Sequence, residues 1–139
     1  MEPSYEIFDH TADAGIRVRA GTLAGLVAPA GEALYVIIGD LTPTAETNSI
    51  VFDLDGSDPA TLLRDYLTEL LVLFERHSRI ATAVKVKTFD DQRLSLTIQA
   101  ALVDRDHSDY LREVKAITYH ELAVRTMPDG YEATVIVDV

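Results

Sequence analysis

The sequence predicts an α+β fold, in which two helices pack on a mostly antiparallel sheet of about six to seven strands. Two stretches before residue 80 repeat apolar residues with the helical period. The remainder of the chain alternates apolar and polar residues between turn signals, which is typical of antiparallel strands. At 139 residues, with 47% hydrophobic and 25% charged, the chain can bury a core, and we expect one domain over residues 1–139.

The amino-terminal part of the chain predicts two strands followed by a helix. Residues 5–8 form the first predicted strand, and residues 15–20 form the second, where apolar residues alternate with two arginines. Thr22 is a suitable helix cap, and apolar residues then recur at helical spacing as far as Gly39. Because Pro29 removes a backbone donor inside this pattern, we expect either a kink or a helix that begins later.

The second helix is the clearest element in the sequence. A loop at residues 41–48 and a strand at residues 49–54 are expected before it. Ser57 or Asp58 caps the helix and Pro59 takes its first position, where the missing amide hydrogen costs nothing. The apolar stripe that identifies the helix consists of Leu62, Leu63, Tyr66, Leu67, Leu70, Leu71 and Phe74.

The strands predicted after this helix form antiparallel hairpins. Residues 90–92 make a hairpin turn, and residues 128–130 make another. The expected strands are residues 84–87, 94–100, 113–119, 122–126 and 131–139.

The formal net charge of −11 is spread along the chain. A field of that sign repels phosphate backbones, so direct, extended binding to nucleic acid is not expected. An acidic surface instead suits divalent cations or a basic partner, although it also serves solubility alone. No apolar run reaches the length of a membrane span and no leader pattern precedes the first strand, so the expected location is the cytoplasm.

The absence of cysteine excludes disulfides, thiolate metal sites and cysteine nucleophiles. Any metal must therefore be bound by oxygen or imidazole, which favours calcium, magnesium or manganese. Two aspartate-rich segments, residues 53–58 and 104–109, do not match the spacing of a calcium loop. His120 and Glu121 form half of a zinc-protease motif whose second histidine is missing, and no nucleophile or phosphate-loop signature occurs.

Polar residues next to apolar strands mark three candidate places for a site. The first is the cluster of Asp9, His10, Thr11 and Asp13 between the two amino-terminal strands. The second is Asp138, which interrupts an apolar run at the end of the chain, and the third is the polar segment 113–120. Taken singly, each has a structural interpretation: a turn residue, a solvated terminus, or a hydrogen-bonded histidine.

Four motifs, taken together, resemble the archease family, and they cover the chain from Tyr5 to Val139. They are His-Thr-Ala-Asp-x-Gly at 10–15, Leu-x-x-Tyr-Leu-x-Glu-Leu-Leu at 63–71, Glu-Val-Lys-Ala-Ile-Thr-Tyr-His at 113–120 and Val-Ile-Val-Asp-Val at 135–139. The chain departs from the family at Tyr66 and Thr68, where Trp and Asn are common, and at Pro29.

The resemblance implies a function and a site. Archeases activate RtcB-type RNA ligases, which join RNA ends with manganese and GTP, by promoting guanylylation of the ligase histidine and multiple turnover. They are not themselves the ligase. The family's metal site, carried onto this sequence, comprises Asp13, Asp138 and Val139, with His10 and Lys115 in matching motifs as supporting residues. The implied cofactor is a divalent cation, calcium first, with magnesium or manganese as alternatives.

Two other functions remain open from the sequence. One is a small metal-dependent hydrolase that uses Asp13, Asp138 and His10. The other is a chaperone-like binding module in which the metal is only structural. The oligomeric state, the native metal and the RNA substrates do not follow from the sequence.

Overall fold

The computed structural model describes residues 1–10 and 12–139, which form two α-helices, two short 3-10 turns and ten strands. The helices are α1 (Val27–Ile38) and α2 (Pro59–His77), and the 3-10 turns are Ala24–Leu26 and Arg105–His107. The strands are β1 (Ser4–His10), β2 (Asp13–Ala20), β3 (Gly39–Asp40), β4 (Pro43–Asp55), β5 (Arg79–Phe89), β6 (Arg93–Val103), β7 (Asp109–Tyr110), β8 (Ala116–Ile117), β9 (Ala123–Met127) and β10 (Gly130–Asp138).

The strands are divided among three hydrogen-bonded sheets rather than one. In the five-stranded sheet, β2 lies between β1 and β10, and β10 also pairs with both β8 and β9. A three-stranded sheet has the order β4-β6-β5, and β3 and β7 form a two-residue ribbon. Every pairing among the described residues is antiparallel, which confirms the predicted α+β class.

Helix α1 begins later than Thr22, in line with one of the two expectations for Pro29. The Thr22 hydroxyl accepts a hydrogen bond from the Gly25 amide and so caps the 3-10 turn that precedes the helix. Because α1 starts at Val27, Pro29 falls in its first turn, where backbone amides have no partner within the helix. The proline is therefore accommodated without a broken helical hydrogen bond.

Helix α2 follows its sequence signals closely. The Asp58 carboxylate accepts a hydrogen bond from the Thr61 amide at 2.8 Å, Pro59 is the first helical residue, and the left-handed Ser78 ends the helix. The predicted stripe is buried from Leu62 to Leu71, and Phe74 is half-buried.

Among the described residues, no helix combines the length and the apolar composition that a membrane crossing requires.

Two predictions about strands are wrong. Residues 43–48, expected in a loop, belong to β4, whose polar side chains are tolerated because this edge strand pairs only with β6 and faces solvent. Residues 113–119, expected to be a full strand, contribute only Ala116–Ile117 to the sheet. The rest of that segment has no regular secondary structure, and the amides of Lys115 and Thr118 each donate one hydrogen bond to β10.

One buried cluster joins the two helices to the sheets. Helix α1 contacts β1, β2 and β5, and α2 contacts all three strands of the β4-β6-β5 sheet and also β8. The alternation in β2 buries Ile16 and Val18 against the helices, while β10 is buried from Glu132 to Val137. The last strand, β10, is therefore held by the strands on either side of it and by the helices that pack on the sheet.

An ion pair between the buried Glu132 and the exposed Arg19 supports the register of β2 against β10. Glu132 is only 7% exposed, and it lies opposite Arg19, whose Nε donates to its Oε2 at 2.8 Å. Arg125 from β9 donates to the other carboxylate oxygen at 3.4 Å. Hydrogen bonding to Glu132, with its charge, raises the pKa of Arg19 above its ordinary value. A slip of one residue would separate this pair and also exchange the side chains on the two faces of β10.

Replacement of Leu67 by alanine should lower the free energy of unfolding by about 2–5 kcal/mol, because it leaves a cavity in the fully buried face of α2. The matched control is Val36→Ala on α1, where 48% of the side chain is exposed and the expected change is within about 0.5 kcal/mol. Urea unfolding followed by circular dichroism measures both. Equal effects of the two substitutions would contradict the assignment of the core.

Candidate metal centre

The β1–β2 hairpin places His10 beside Asp13. These two residues are register partners at the end of the hairpin, and the Asp13 Oδ2 lies 3.7 Å from the His10 Nδ1. That separation is longer than a hydrogen bond. Ala12, at the hairpin tip, has φ of 62°, in the left-handed region. Thr11, which the sequence placed in the same cluster, lies outside the described residues.

The ring of Phe8 leaves no room for a side chain at Gly15, the glycine of the amino-terminal motif. The two residues are paired across β1 and β2, and the ring lies over the glycine. A Cβ atom at position 15 would overlap ring atoms, so even alanine would displace Phe8. Arg17 stacks on the same ring, with its guanidinium carbon 4.6 Å from the ring centroid. These contacts hold in place β2, the strand that begins at Asp13.

The end of the chain lies directly beside the Asp13 segment. In the β2–β10 pairing, the last paired residues are Ala14 and Val137, so Asp13 and Asp138 are the next residues along the two strands. Asp13, Asp138 and Val139 are all half-exposed. This is the backbone arrangement that a shared oxygen site requires, and the binding of one ion by all three residues stays a prediction.

Lys115 is connected to Asp138 through its backbone. Its amide donates to the Asp138 carbonyl at 2.8 Å, and its side chain is exposed. Two residues further on, Ile117 pairs with Val137. Arg64 of α2 fixes this segment, because its Nε donates to the Ile117 carbonyl at 3.0 Å.

Thr118 starts a turn that carries the next polar side chains toward the hairpin. Its amide and its hydroxyl both donate to the Ile136 carbonyl, at 3.0 and 2.8 Å, and the hydroxyl also accepts from the His120 amide. The Leu122 amide closes the turn on the Tyr119 carbonyl. The turn is thus hydrogen-bonded to β10 at Ile136, two residues before Asp138.

Glu121 adopts the left-handed conformation, with φ of 52°, which is uncommon for a residue with a side chain. The resulting change of direction brings both His120 and Glu121 to His10. The Glu121 Oε2 lies 3.2 Å from the His10 Nε2, and the two imidazole ring centroids are 5.2 Å apart. Ligand atoms of the three side chains all lie within 4.8 Å of one another.

Two sets of possible donors with different chemistry therefore come from this region. Asp13, Asp138 and the chain-end oxygens of Val139 are the predicted oxygen group, and oxygen donors suit calcium, magnesium or manganese. His10, His120 and Glu121 form the imidazole group. The buried His10 Nδ1 has no hydrogen-bond partner among the described residues, and the Asp13 carboxylate is beside it.

The sequence pointed to the oxygen group and missed the imidazole group as a unit. His120 and Glu121 were recognisable as half of a zinc motif, but His10 lies at the other end of the chain. No local spacing could connect them, since the connection depends on β10 lying between β2 and the 113–120 segment.

Comparison with known proteins gives consistent similarity over the whole chain. The sequence pattern of the Archease protein family (MTH1598/TM1083) matches residues 5–139. The archease of Pyrococcus furiosus is 32% identical over 129 residues, which cover 91% of each chain. The archease of Methanosarcina barkeri is 30% identical over 139 residues, covering 97% of this chain and 95% of the relative.

A solved structure extends the similarity to the fold. The solution structure of Protein 1598 from Methanobacterium thermoautotrophicum has a TM-score of 0.76 and 28% identity, and the match covers 97% of this chain and 98% of that one. The two-helix, antiparallel architecture is therefore that of this structural neighbour.

Replacement of Thr118 by valine should lower the free energy of unfolding by about 0.5–1.5 kcal/mol, because the hydroxyl bond to Ile136 is lost and the His120 amide loses its acceptor. Thr118→Ser keeps the hydroxyl and is the matched control, with a smaller expected loss. Chemical unfolding of the three proteins measures the difference. If serine and valine cost the same, the hydroxyl does not anchor the turn.

Proposed function

This chain belongs to the archease family, and we propose that it acts as the activator of an RtcB-type RNA ligase rather than as a catalyst of RNA joining. In this role it promotes guanylylation of the ligase histidine and allows multiple turnover during RNA splicing or repair in the cytoplasm. Family membership and the arrangement of the two chain ends support the proposal. The observation that supports it most directly is the β2–β10 register, whose last pair, Ala14 with Val137, lies next to Asp13 and Asp138.

Asp13, Asp138 and Val139 are the proposed ligands of a divalent cation. Each is half-exposed, so the oxygen group opens on the surface rather than into the core. A cation bound there would supply positive charge for phosphate oxygens of a nucleotide bound to the partner. Backbone contacts hold both aspartates: Asp13 pairs with His10 in the β1–β2 hairpin, and the Asp138 carbonyl accepts a hydrogen bond from the Lys115 amide.

His10 and Lys115 are proposed as supporting residues. His10 lies next to the Asp13 carboxylate and limits the directions in which it can turn. Lys115 presents an exposed ammonium group on the residue bonded to the Asp138 carbonyl. A lysine at that position is suited to contact phosphate oxygens, because its charge is compact and its stem is flexible.

The charge of the molecule suits a basic partner better than RNA. With a formal net charge of −11, the chain would be repelled by an RNA backbone but attracted to a positively charged RNA-binding protein. This attraction would mainly raise the association rate and would weaken as salt is added. Direct, extended contact with nucleic acid is not part of the proposed function.

Asp13→Ala should reduce stimulation of the cognate ligase in a reconstituted guanylylation assay by at least roughly tenfold. The expectation follows because removal even of an outer partner of a metal ligand costs about 10–100-fold in metal affinity or activity. Asp91→Ala is the matched control: it removes the same charge from an exposed turn between β5 and β6 and should leave stimulation unchanged.

The same assay separates the other functions. Undiminished guanylylation with Asp13→Ala would contradict the role of the oxygen group. If Asp138→Ala lowers the melting temperature yet leaves stimulation intact in the folded protein, the metal is structural and the protein is a chaperone-like module. Turnover of small phosphoesters by the isolated protein, abolished by Asp13→Ala, would favour a hydrolase.

A further inference from the structure

We propose that His10, His120 and Glu121 form a second metal site, which takes a transition-metal dication of the zinc class rather than calcium. Two imidazoles and one carboxylate are the donor set that zinc and similar cations prefer, whereas calcium prefers oxygen alone. The site is separate in its ligands from the oxygen group and does not depend on the proposed function.

The distances support a single shared ion. Ligand atoms bound to one zinc at about 2.0–2.2 Å lie roughly 3.4 Å apart at a tetrahedral edge. The Glu121 Oε2 and the His10 Nε2 are already 3.2 Å apart, which matches that edge. All three ligand atoms lie within 4.8 Å of one another, so the third needs to approach by at most roughly 1.4 Å to reach a tetrahedral edge, and the His120 side chain is exposed.

The other nitrogen of His10 provides an independent indication. A histidine that binds a metal through one ring nitrogen usually donates from the other to a carboxylate, which fixes its tautomer and its orientation. In this structure the Nε2 faces Glu121 and the buried Nδ1 faces the Asp13 carboxylate at 3.7 Å. With Nδ1 carrying the hydrogen, Nε2 is left as the free lone pair that a metal needs.

The backbone around Glu121 suits a ligand position. A left-handed conformation at a residue with a side chain costs about 1–2 kcal/mol, and such positions concentrate at functional sites. Here the conformation allows two consecutive side chains, His120 and Glu121, to face the same histidine. In an extended chain, two consecutive side chains would point in opposite directions. The hydrogen bonds of Thr118 attach this turn to β10.

Three protein ligands leave at least one coordination position open. His120 and Glu121 are exposed, so that position faces solvent and is accessible to water or to a side chain of a bound partner. The arrangement thus differs from a closed structural zinc site, which has four protein ligands.

The proposal is tested by calorimetric titration of zinc and, separately, calcium into protein freed of metal by a chelator. Wild-type protein should bind one zinc, and His120→Ala should lower its zinc affinity at least roughly 100-fold, since loss of an outer partner alone costs about 10–100-fold. Glu121→Gln, which keeps size while removing the charge, should lower it at least roughly tenfold. Asp138→Asn should leave zinc binding unchanged and weaken calcium binding.

Cobalt gives a second readout, because its visible absorption reports the nitrogen and oxygen donors around it. The cobalt spectrum of the wild type should be lost in His120→Ala and kept in Asp138→Asn, with circular dichroism confirming that each variant is folded. Zinc affinity that is equal in the wild type and in His120→Ala would overturn the proposal. Failure here, with Asp13→Ala still defective in ligase stimulation, would leave the proposed function standing.

Discussion

The antiparallel pairing of β10 with β2 is the interaction on which the rest of this structure depends. It places the last strand of the chain inside the five-stranded sheet, where its residues 132–137 are buried. Because β8 and β9 both pair with β10 and not with β2, removing β10 would leave them without a strand partner. Formation of this long-range pair must close a loop of more than one hundred residues, at a considerable cost in entropy.

The register of that pairing connects stability at one end with chemistry at the other. Near the start of β10, the buried Glu132 is paired with Arg19 and Arg125, and a slip would leave this charge without partners. At the far end, the same register ends at Ala14 and Val137, the residues next to Asp13 and Asp138. Charge pairing and apolar burial therefore fix the backbone next to the two proposed oxygen ligands.

Sequence patterns predicted the elements whose causes are local. Helix α2 has its cap, its first-turn proline and its apolar stripe within twenty residues, so its course was predictable. Pro29 left two alternatives, and the late start of α1 resolves them. The extent of β4 was not predictable, because its first residues are polar and exposed, and its pairing with β6 is interrupted between Pro43 and Thr47.

The site was predictable only in part, because its residues come from distant parts of the sequence. Asp13 and Asp138 were proposed together because of a family resemblance, and the register of β2 with β10 is compatible with that pairing. The approach of Glu121 to His10 depends on a left-handed turn and on three strands meeting, none of which leaves a periodic signal in the sequence. The fold thus brings His10 together with His120 and Glu121 from opposite ends of the chain.

A crystal structure determined in the presence of calcium is the most direct test of the central claim, that the β2–β10 register creates one ion site from both chain ends. The predicted result is a single ion bound at about 2.3–2.6 Å by oxygens of Asp13, Asp138 and Val139. Calcium bound only at the aspartate-rich loop of residues 104–109, with none between the two chain ends, would contradict it.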